Sequence, residues 1–406
     1  MRIGMVTACY KPVINGVTRM VVLYKEHLEA AGHEVTVFTL GEPDPAGDDP
    51  DVIRSRAIPL GDTGYYFSFR YSKAAQERLR EMEIIHCHHL FMSVEMAHRY
   101  GRCPIVYTNH TRYDLYTGAY TPLPQPAADA IMRQLWPEFT DYCDVVITPS
   151  PRVRDVMRDF GVRRPIEVVP NGIDLEPFWN PPCPRAKVDY DVPPEATLLI
   201  YTGRLASEKN LRELLSQFAL AAEIVPNLHL LLLGKGPLAA KLPRQAEELG
   251  VAGRVHLPGA VPYEEVGGVL AAGDAFATAS VSEVHPLSII EAMAAGLPVA
   301  AVRSPGVADT VEHGQTGLLV SAADGLAAAI VGLVDDEERR RRMGAAAREA
   351  SKRYDIRRTV RRTVALYDRL RETRPDLERE RQHGRWMRPN PPPLLEQLAR
   401  LLRPPS

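Results

Sequence analysis

Two carboxylates, Glu283 and Glu291, fall on one stretch, residues 282–301 (SEVHPLSIIEAMAAGLPVAA), which joins a polar loop to an apolar run and a strong helix former. Small residues closing on Gly296 and Pro298 predict the helix C-terminus there. Glu283 is then in the loop before the helix and Glu291 within its first turns. Both can face a ligand at the helix N-terminus, where unpaired N–H groups and the positive end of the dipole suit a phosphate. The same positions also suit capping and dipole-complementing acids, and spacing alone does not choose between these roles. A second constellation is Gly203-Arg204 with Glu208-Lys209. Arg204 can fork onto two phosphate oxygens while Lys209 supplies a mobile point charge, the pair a diphosphate needs; the plainer alternative is a solvated turn with Glu208 on Lys209. His88, Asn109 and His110 form a third group, at the ends of two apolar runs.

These side chains need rigid elements behind them. Residues 2–8 (RIGMVTA) read as a buried strand, followed by a loop through Pro12, Asn15 and Gly16, a helix over 17–31 and a β-branched strand over 34–40. That βαβ order predicts a parallel sheet. Gly16 stands at the strand-to-helix turn, where backbone can approach a ligand closely, although an ordinary tight turn uses the same residue. Strands over 83–88, 104–110, 144–149 and 166–169 continue the sheet. Ligands of open α/β sheets gather beyond the carboxyl ends of the strands, where His88, Asn109 and His110 fall. Residues 65–71 set aromatics beside Lys73, Arg78 and Arg80, which suits an acceptor groove or a membrane surface as well as a core hairpin. Residues 111–125, aromatic and rich in Pro and Gly, predict a functional loop beside His110.

Prolines in 179–184 mark a linker, after which strands over 197–202, 229–233, 255–257, 275–279, 298–302 and 318–320 restart the rhythm. The predicted fold class is α/β: two doubly wound, Rossmann-like domains facing a central cleft, the default ligand site. Charged helices over 337–342 and 348–370 follow, then an arginine- and proline-rich tail, 371–406, whose last segment suits either anionic lipid or its own chain.

Composition narrows the classes. With 406 residues, 45% hydrophobic, 25% charged and a net charge of −2, the chain gives no reason to expect nucleic acid as a partner. No apolar run reaches the roughly 20 residues that span a bilayer, and MRIGMVTACY reads as a strand and not as a signal sequence, so the expected location is cytoplasmic. Five scattered cysteines predict neither disulfides nor zinc. Alternation along a strand keeps His86, Cys87, His88 and His89 from converging on one metal ion.

Eight motifs in order carry a resemblance: PVINGVTR (12–19), GHEVTVFT (32–39), TNHT (108–111), VVPNGIDLEPF (168–178), GRLASEKN (203–210), LLLLGKGP (230–237), the 282–301 stretch and VEHGQTGLLV (311–320). With them the chain resembles the retaining glycosyltransferases of family 4, which have the GT-B fold. The resemblance implies an acceptor-binding domain over 1–178, completed by a returning helix at about 355–370, and a nucleotide-sugar-binding domain over 179–354. It implies that Gly16 approaches the donor diphosphate, that Arg204 and Lys209 neutralise it, and that the amides of Leu287 and Ser288 help hold it. Glu283 would touch the sugar hydroxyls and Glu291 the ribose, and His110 would stand by the reacting sugar. Asn15 and Pro286 stand where many members have glycine.

The implied reaction moves a hexose from a nucleotide-diphosphate sugar with retention, the leaving phosphate taking the proton, with no metal and no cofactor. TNHTRYDLYTGAY (108–120) resembles the glycolipid-forming branch, which acts on diacylglycerol or phosphatidylinositol, and this implies peripheral contact with a membrane surface. A nucleotide-sugar epimerase, a soluble-acceptor transferase and a silent nucleotide-sugar-binding subunit are the alternatives.

Overall fold

Apolar runs in the first half of the chain form seven strands in one wholly parallel sheet, ordered β3-β2-β1-β6-β7-β8-β9. They are β1 (Arg2–Val6), β2 (Glu34–Leu40), β3 (Val52–Ser55), β6 (Ile84–Cys87), β7 (Ile105–Thr108), β8 (Val145–Thr148) and β9 (Ile166–Val168). Between β3 and β6 a small antiparallel hairpin joins β4 (Ile58–Pro59) to β5 (Tyr66–Phe67). This computed structural model describes residues 1–13, 15–59, 65–68, 70–115 and 124–373. Most of the expected loop at 111–125, Phe69 of the aromatic stretch and the tail from 374 onward lie outside the described residues.

Buried parallel strands have two covered faces, and alternation assigns each side chain to one of them. Val6, Phe38, Ile85, Cys87, Tyr107 and Val146 join one apolar core. Their neighbours Met5, Val37, Ile84, Val106 and Ile147 join the other, together with Leu366 and Tyr367 of the last helix. The second half gives another parallel sheet, ordered β12-β11-β10-β13-β14-β15, with its own core. Its strands are β10 (Thr197–Thr202), β11 (Leu228–Leu233), β12 (Val255–Gly259), β13 (Ala275–Thr278), β14 (Val299–Val302) and β15 (Gly317–Val320).

The last described helices differ in their bounds from the periodicity reading. Helices expected over 337–342 and 348–370 are instead Glu337–Ser351 and Ile356–Thr373. The break lies at Asp355, which is extended, and whose neighbours exchange backbone bonds with Ile173: Ile173 N–H donates to the Tyr354 carbonyl at 2.9 Å and Ile356 N–H to the Ile173 carbonyl at 3.0 Å. The Asp355 carboxylate accepts from Arg357 N–H at 2.8 Å, the bond of an N-cap. No Gly or Pro marks this point, so periodicity ran through it. The last helix packs on the Gly16–Ala30 helix of the first domain. Its Tyr367 hydroxyl meets His86 Nδ1 at 2.6 Å, its Thr363 meets the Tyr24 hydroxyl at 3.2 Å, and Thr359 donates to the Pro170 carbonyl at 2.9 Å.

Candidate active site

The carboxyl ends of both sheets carry the polar residues, and the two ends meet. Asn15 caps the Gly16–Ala30 helix, its side chain accepting from Thr18 N–H at 2.9 Å. Asn15 has an extended backbone, so a capping asparagine serves where a glycine's freedom is not needed. A side chain added at Gly16 would come within 3.9 Å of Leu287 on the opposite domain. Val284 inserts into the core of the first domain, and Asn171 donates to the His285 carbonyl at 3.1 Å.

Glu283 lies in the loop after β13, where Gly306 has no side chain to collide with the Glu283 and Val284 carbonyl oxygens. One oxygen, Oε1, accepts from Lys209 Nζ at 2.7 Å and from the Ser280 hydroxyl at 2.7 Å. Burial pushes this carboxyl up, but the Lys209 ammonium and the Ser280 hydroxyl outweigh burial and hold it below its usual range. The sequence alternative of Glu208 on Lys209 is therefore not what forms: Glu208 faces Arg204 at 3.6 Å, and Lys209 faces Glu283. Arg204 is about half exposed, at 45%, so its guanidinium is accessible to a ligand. Asn210 bends the chain into the left-handed region (φ 54°) directly after Lys209 and before the Leu211–Ile224 helix.

Two glycine-rich turns back this cluster. Gly234 and Gly236 have φ of 151° and 157°, and a side chain on either would overlap the carbonyl of Gly203 or of Leu205. Without side chains the turns lock together, with Gly203 N–H on the Leu233 carbonyl at 3.0 Å and Leu205 N–H on the Lys235 carbonyl at 2.8 Å. The Leu287–Ala294 helix starts at Pro286, which lacks the N–H that a glycine would offer, so Leu287 and Ser288 supply its first free amides. Glu291, the fifth residue of this helix, is buried with only 6% exposure, and its Oε1 accepts from the Tyr263 hydroxyl at 2.9 Å. Burial pushes its carboxyl up to about 7, against the pull of the Tyr263 hydroxyl and the Arg19 charge.

Across the cleft, His110 Nε2 pairs with His88 Nδ1 at 3.1 Å, their rings stacked 5.4 Å apart. Burial, with repulsion from His89 and His86, holds His110 down to about 3, so it is neutral at physiological pH. His88 Nε2 and His89 Nε2 are buried without a partner among the described residues. The Asn109 side-chain oxygen accepts from the Tyr107 hydroxyl at 2.9 Å, and its amide nitrogen is buried without a partner among the described residues. Two residues past His110, Arg112 forks onto Asp114 at 2.9 and 2.6 Å.

The structure thus gathers Arg204, Lys209, Glu283, Leu287, Ser288 and Glu291 on one domain and Gly16 and His110 on the other. Sequence reasoning missed Ser280, Tyr263, Arg19 and the Asp309 contacts described below. Ser280 sits three residues before Glu283 and was findable; Arg19 ends the motif at 12–19, but its pairing with Tyr263 on the other domain gave no local signal.

Two parallel-sheet domains with phosphate-suited turns at facing carboxyl ends define the GT-B fold. The sequence model of Glycosyltransferase Family 4 matches residues 14–177, and that of Glycosyl transferases group 1 matches residues 184–350. The chain is 30% identical over 337 residues to the alpha-monoglucosyldiacylglycerol synthase of Acholeplasma laidlawii, covering 78% of this chain and 84% of that protein. It is 29% identical to the synthase of the same name from Streptococcus pneumoniae, covering 82% and 78%. Among solved structures, Anabaena HepE in complex with UDP and glucose superposes with a TM-score of 0.75 at 20% identity, covering 91% of this chain and all of that one. The chain belongs to the family 4 glycosyltransferases and is a hexosyltransferase; the epimerase alternative finds no support in these relatives.

Proposed function

We propose that this protein transfers a hexose from a nucleotide-diphosphate sugar to the hydroxyl of a membrane lipid, diacylglycerol being the first choice, with retention at the anomeric carbon. The observation that carries the donor half is the Lys209–Glu283–Ser280 cluster beside the start of the Leu287–Ala294 helix. An ammonium has three donors, so Lys209 can hold Glu283 and a phosphate oxygen together. Arg204 takes the diphosphate from its other side, and the amides of Leu287 and Ser288 add the positive end of the dipole. Glu283, kept ionised by Lys209, accepts from sugar hydroxyls, and Glu291 accepts from the ribose. Gly16 lets the first domain's helix close on the phosphates.

These fixed charges act where the leaving diphosphate gains charge, so electrostatic stabilisation is the largest contribution to rate. The acceptor hydroxyl attacks from the face the diphosphate leaves, and the phosphate takes its proton. His110, neutral, offers a hydrogen bond to the reacting sugar. In this scheme protein cations fill the role of a metal, and no cofactor takes part.

The lipid acceptor is supported by the two monoglucosyldiacylglycerol synthases among the relatives. Peripheral membrane contact is supported by Ile58, 67% exposed on the β4–β5 hairpin, beside the exposed Arg56 and Arg70, which help line a cavity of about 460 Å³. No helix among the described residues is long and apolar enough to cross a membrane. The test incubates the protein with UDP-, GDP- and ADP-hexoses and vesicles of diacylglycerol in anionic phospholipid. A glycolipid with the donor's anomeric configuration is expected. Failure to bind the vesicles, together with ready transfer to a soluble alcohol, overturns the lipid reading.

A further inference from the structure

Arg19 and Tyr263 belong to different domains yet act on one carboxylate. Tyr263 opens the Tyr263–Leu270 helix of the second domain and donates to Glu291 Oε1 at 2.9 Å. Arg19, in the first turn of the Gly16–Ala30 helix of the first domain, lays its guanidinium carbon 3.6 Å from the centroid of the Tyr263 ring. Arg19 Nε is buried without a hydrogen-bond acceptor among the described residues, so its contact there is the ring. The chain Arg19, Tyr263, Glu291 therefore runs from one domain to the middle of the other domain's phosphate-facing helix.

We propose that Arg19 and Tyr263 are positioning residues for the donor nucleotide: Tyr263 fixes Glu291 so that Oε2 faces the ligand, and Arg19 makes that arrangement depend on the two domains being closed. This rests on Glu291 being the ribose-binding carboxylate. A carboxylate has about four acceptor sites, so a bond from Tyr263 to Oε1 sets the rotation of the group and leaves Oε2 for a ligand hydroxyl. The anion accepts from a diol, while the protonated acid must spend a donor. Burial disfavours the anion; the Tyr263 hydroxyl and the Arg19 charge favour it. The Glu176–Trp179 and Glu337–Ser351 helices that pack on the same helix bring no charge that acts on Glu291.

The sign follows. Removing the Tyr263 hydroxyl or the Arg19 charge raises the pH at which Glu291 ionises, so nucleotide affinity falls most on the acid side. The probe is whichever of UDP, GDP and ADP the wild-type protein binds tightest, measured by calorimetry at about pH 6 and about pH 8.5, on either side of the Glu291 midpoint. Tyr263→Phe and Arg19→Met are expected to bind about fivefold or more weakly at the lower pH, with the deficit shrinking to about twofold or less at the higher. Arg19→Lys, which restores the charge without the planar stack, is expected to fall between Arg19→Met and wild type. A deficit equal at both pH values, the signature of a purely structural role, overturns the proposal, as does unchanged binding. Glu291→Gln separates it from the underlying reading: if that variant binds as wild type, the ribose assignment fails; if it binds weakly while Tyr263→Phe does not, only the present inference fails.

Discussion

Lys209 and Glu283 form a pair that serves folding and, in the proposed scheme, chemistry. Each side chain is about four-fifths covered, at 21% and 19% exposure, so neither would hold its charge comfortably alone. Together they are ionised, and the folded carboxyl of Glu283 lies below its usual 4.5. A carboxyl depressed by folding contributes stability above its unfolded value and loses it as the pH falls through the folded one. This contribution is therefore complete at neutral pH and disappears only under acid conditions below 4.5. Lys209→Ala removes the ammonium and leaves burial unopposed, so Glu283 ionises at higher pH in the variant. Turnover is expected to fall more than about tenfold, or about 1.4 kcal/mol of barrier, with the acid limb of kcat/KM moved to higher pH. Glu283→Gln is expected to lose as much turnover without that movement. Initial rates across a pH series check both, and near-normal rates in either variant would sink the donor-site assignment.

At the scale of elements, the site depends on turns that tolerate no side chain. Gly234 has φ of 151°, and its missing Cβ is the space in which the Gly203 carbonyl oxygen sits. Gly234→Ala must push the turn that carries Arg204 away from β11. The expected cost is about 2–4 kcal/mol of stability, seen as a lower melting temperature, together with weaker nucleotide binding. Gly253→Ala is the control: a Cβ there meets nothing within 4 Å, and melting should stay at the wild-type value. The strands behind these turns were legible in the sequence because buried parallel strands are short apolar runs, such as Leu228–Leu233. The helix of residues 287–294 was legible from its stop, where Gly296 (φ 85°) donates to the Met293 carbonyl and Leu297 to the Ala292 carbonyl. The pairing of Lys209 was not legible, because it is decided by a residue seventy-four positions away and not by its neighbour Glu208. Likewise the stop at Asp355 is set by Ile173, from a different part of the chain.

At the scale of the whole molecule, the question is what holds the first domain over the second. Asp309, on the Pro305–Thr310 helix of the second domain, faces the N-terminus of the Pro151–Asp159 helix of the first. Its carboxylate accepts from the Ser150 hydroxyl, from Arg152 N–H at 3.0 Å and from the Arg152 guanidinium. Ser150 also caps its own helix by accepting from Val153 N–H at 3.1 Å, so the carboxylate completes the capping of a helix in the opposite domain. The Arg152 side chain is 55% exposed while Asp309 is 8% exposed, so water screens the guanidinium bond, and the hydroxyl and amide bonds carry the contact. Each hydrogen bond to a charged group contributes about 1.5–3 kcal/mol, enough to bias an open–closed equilibrium by about tenfold or more. Asp309→Ala is expected to lower turnover about three- to tenfold, since His110 and the acceptor then spend less time opposite the donor. Measured at about pH 8.5, where loss of the Arg19 contact costs about twofold or less, nucleotide affinity should change by about twofold or less, because Arg204, Lys209 and Glu291 all lie on the second domain. Arg152→Ala should leave both quantities near wild type, as an exposed partner contributes little. Initial rates and calorimetry on the two variants decide the matter. Wild-type turnover in Asp309→Ala removes the latch from the account, and an equal loss in Arg152→Ala moves it from the helix cap to the exposed ion pair.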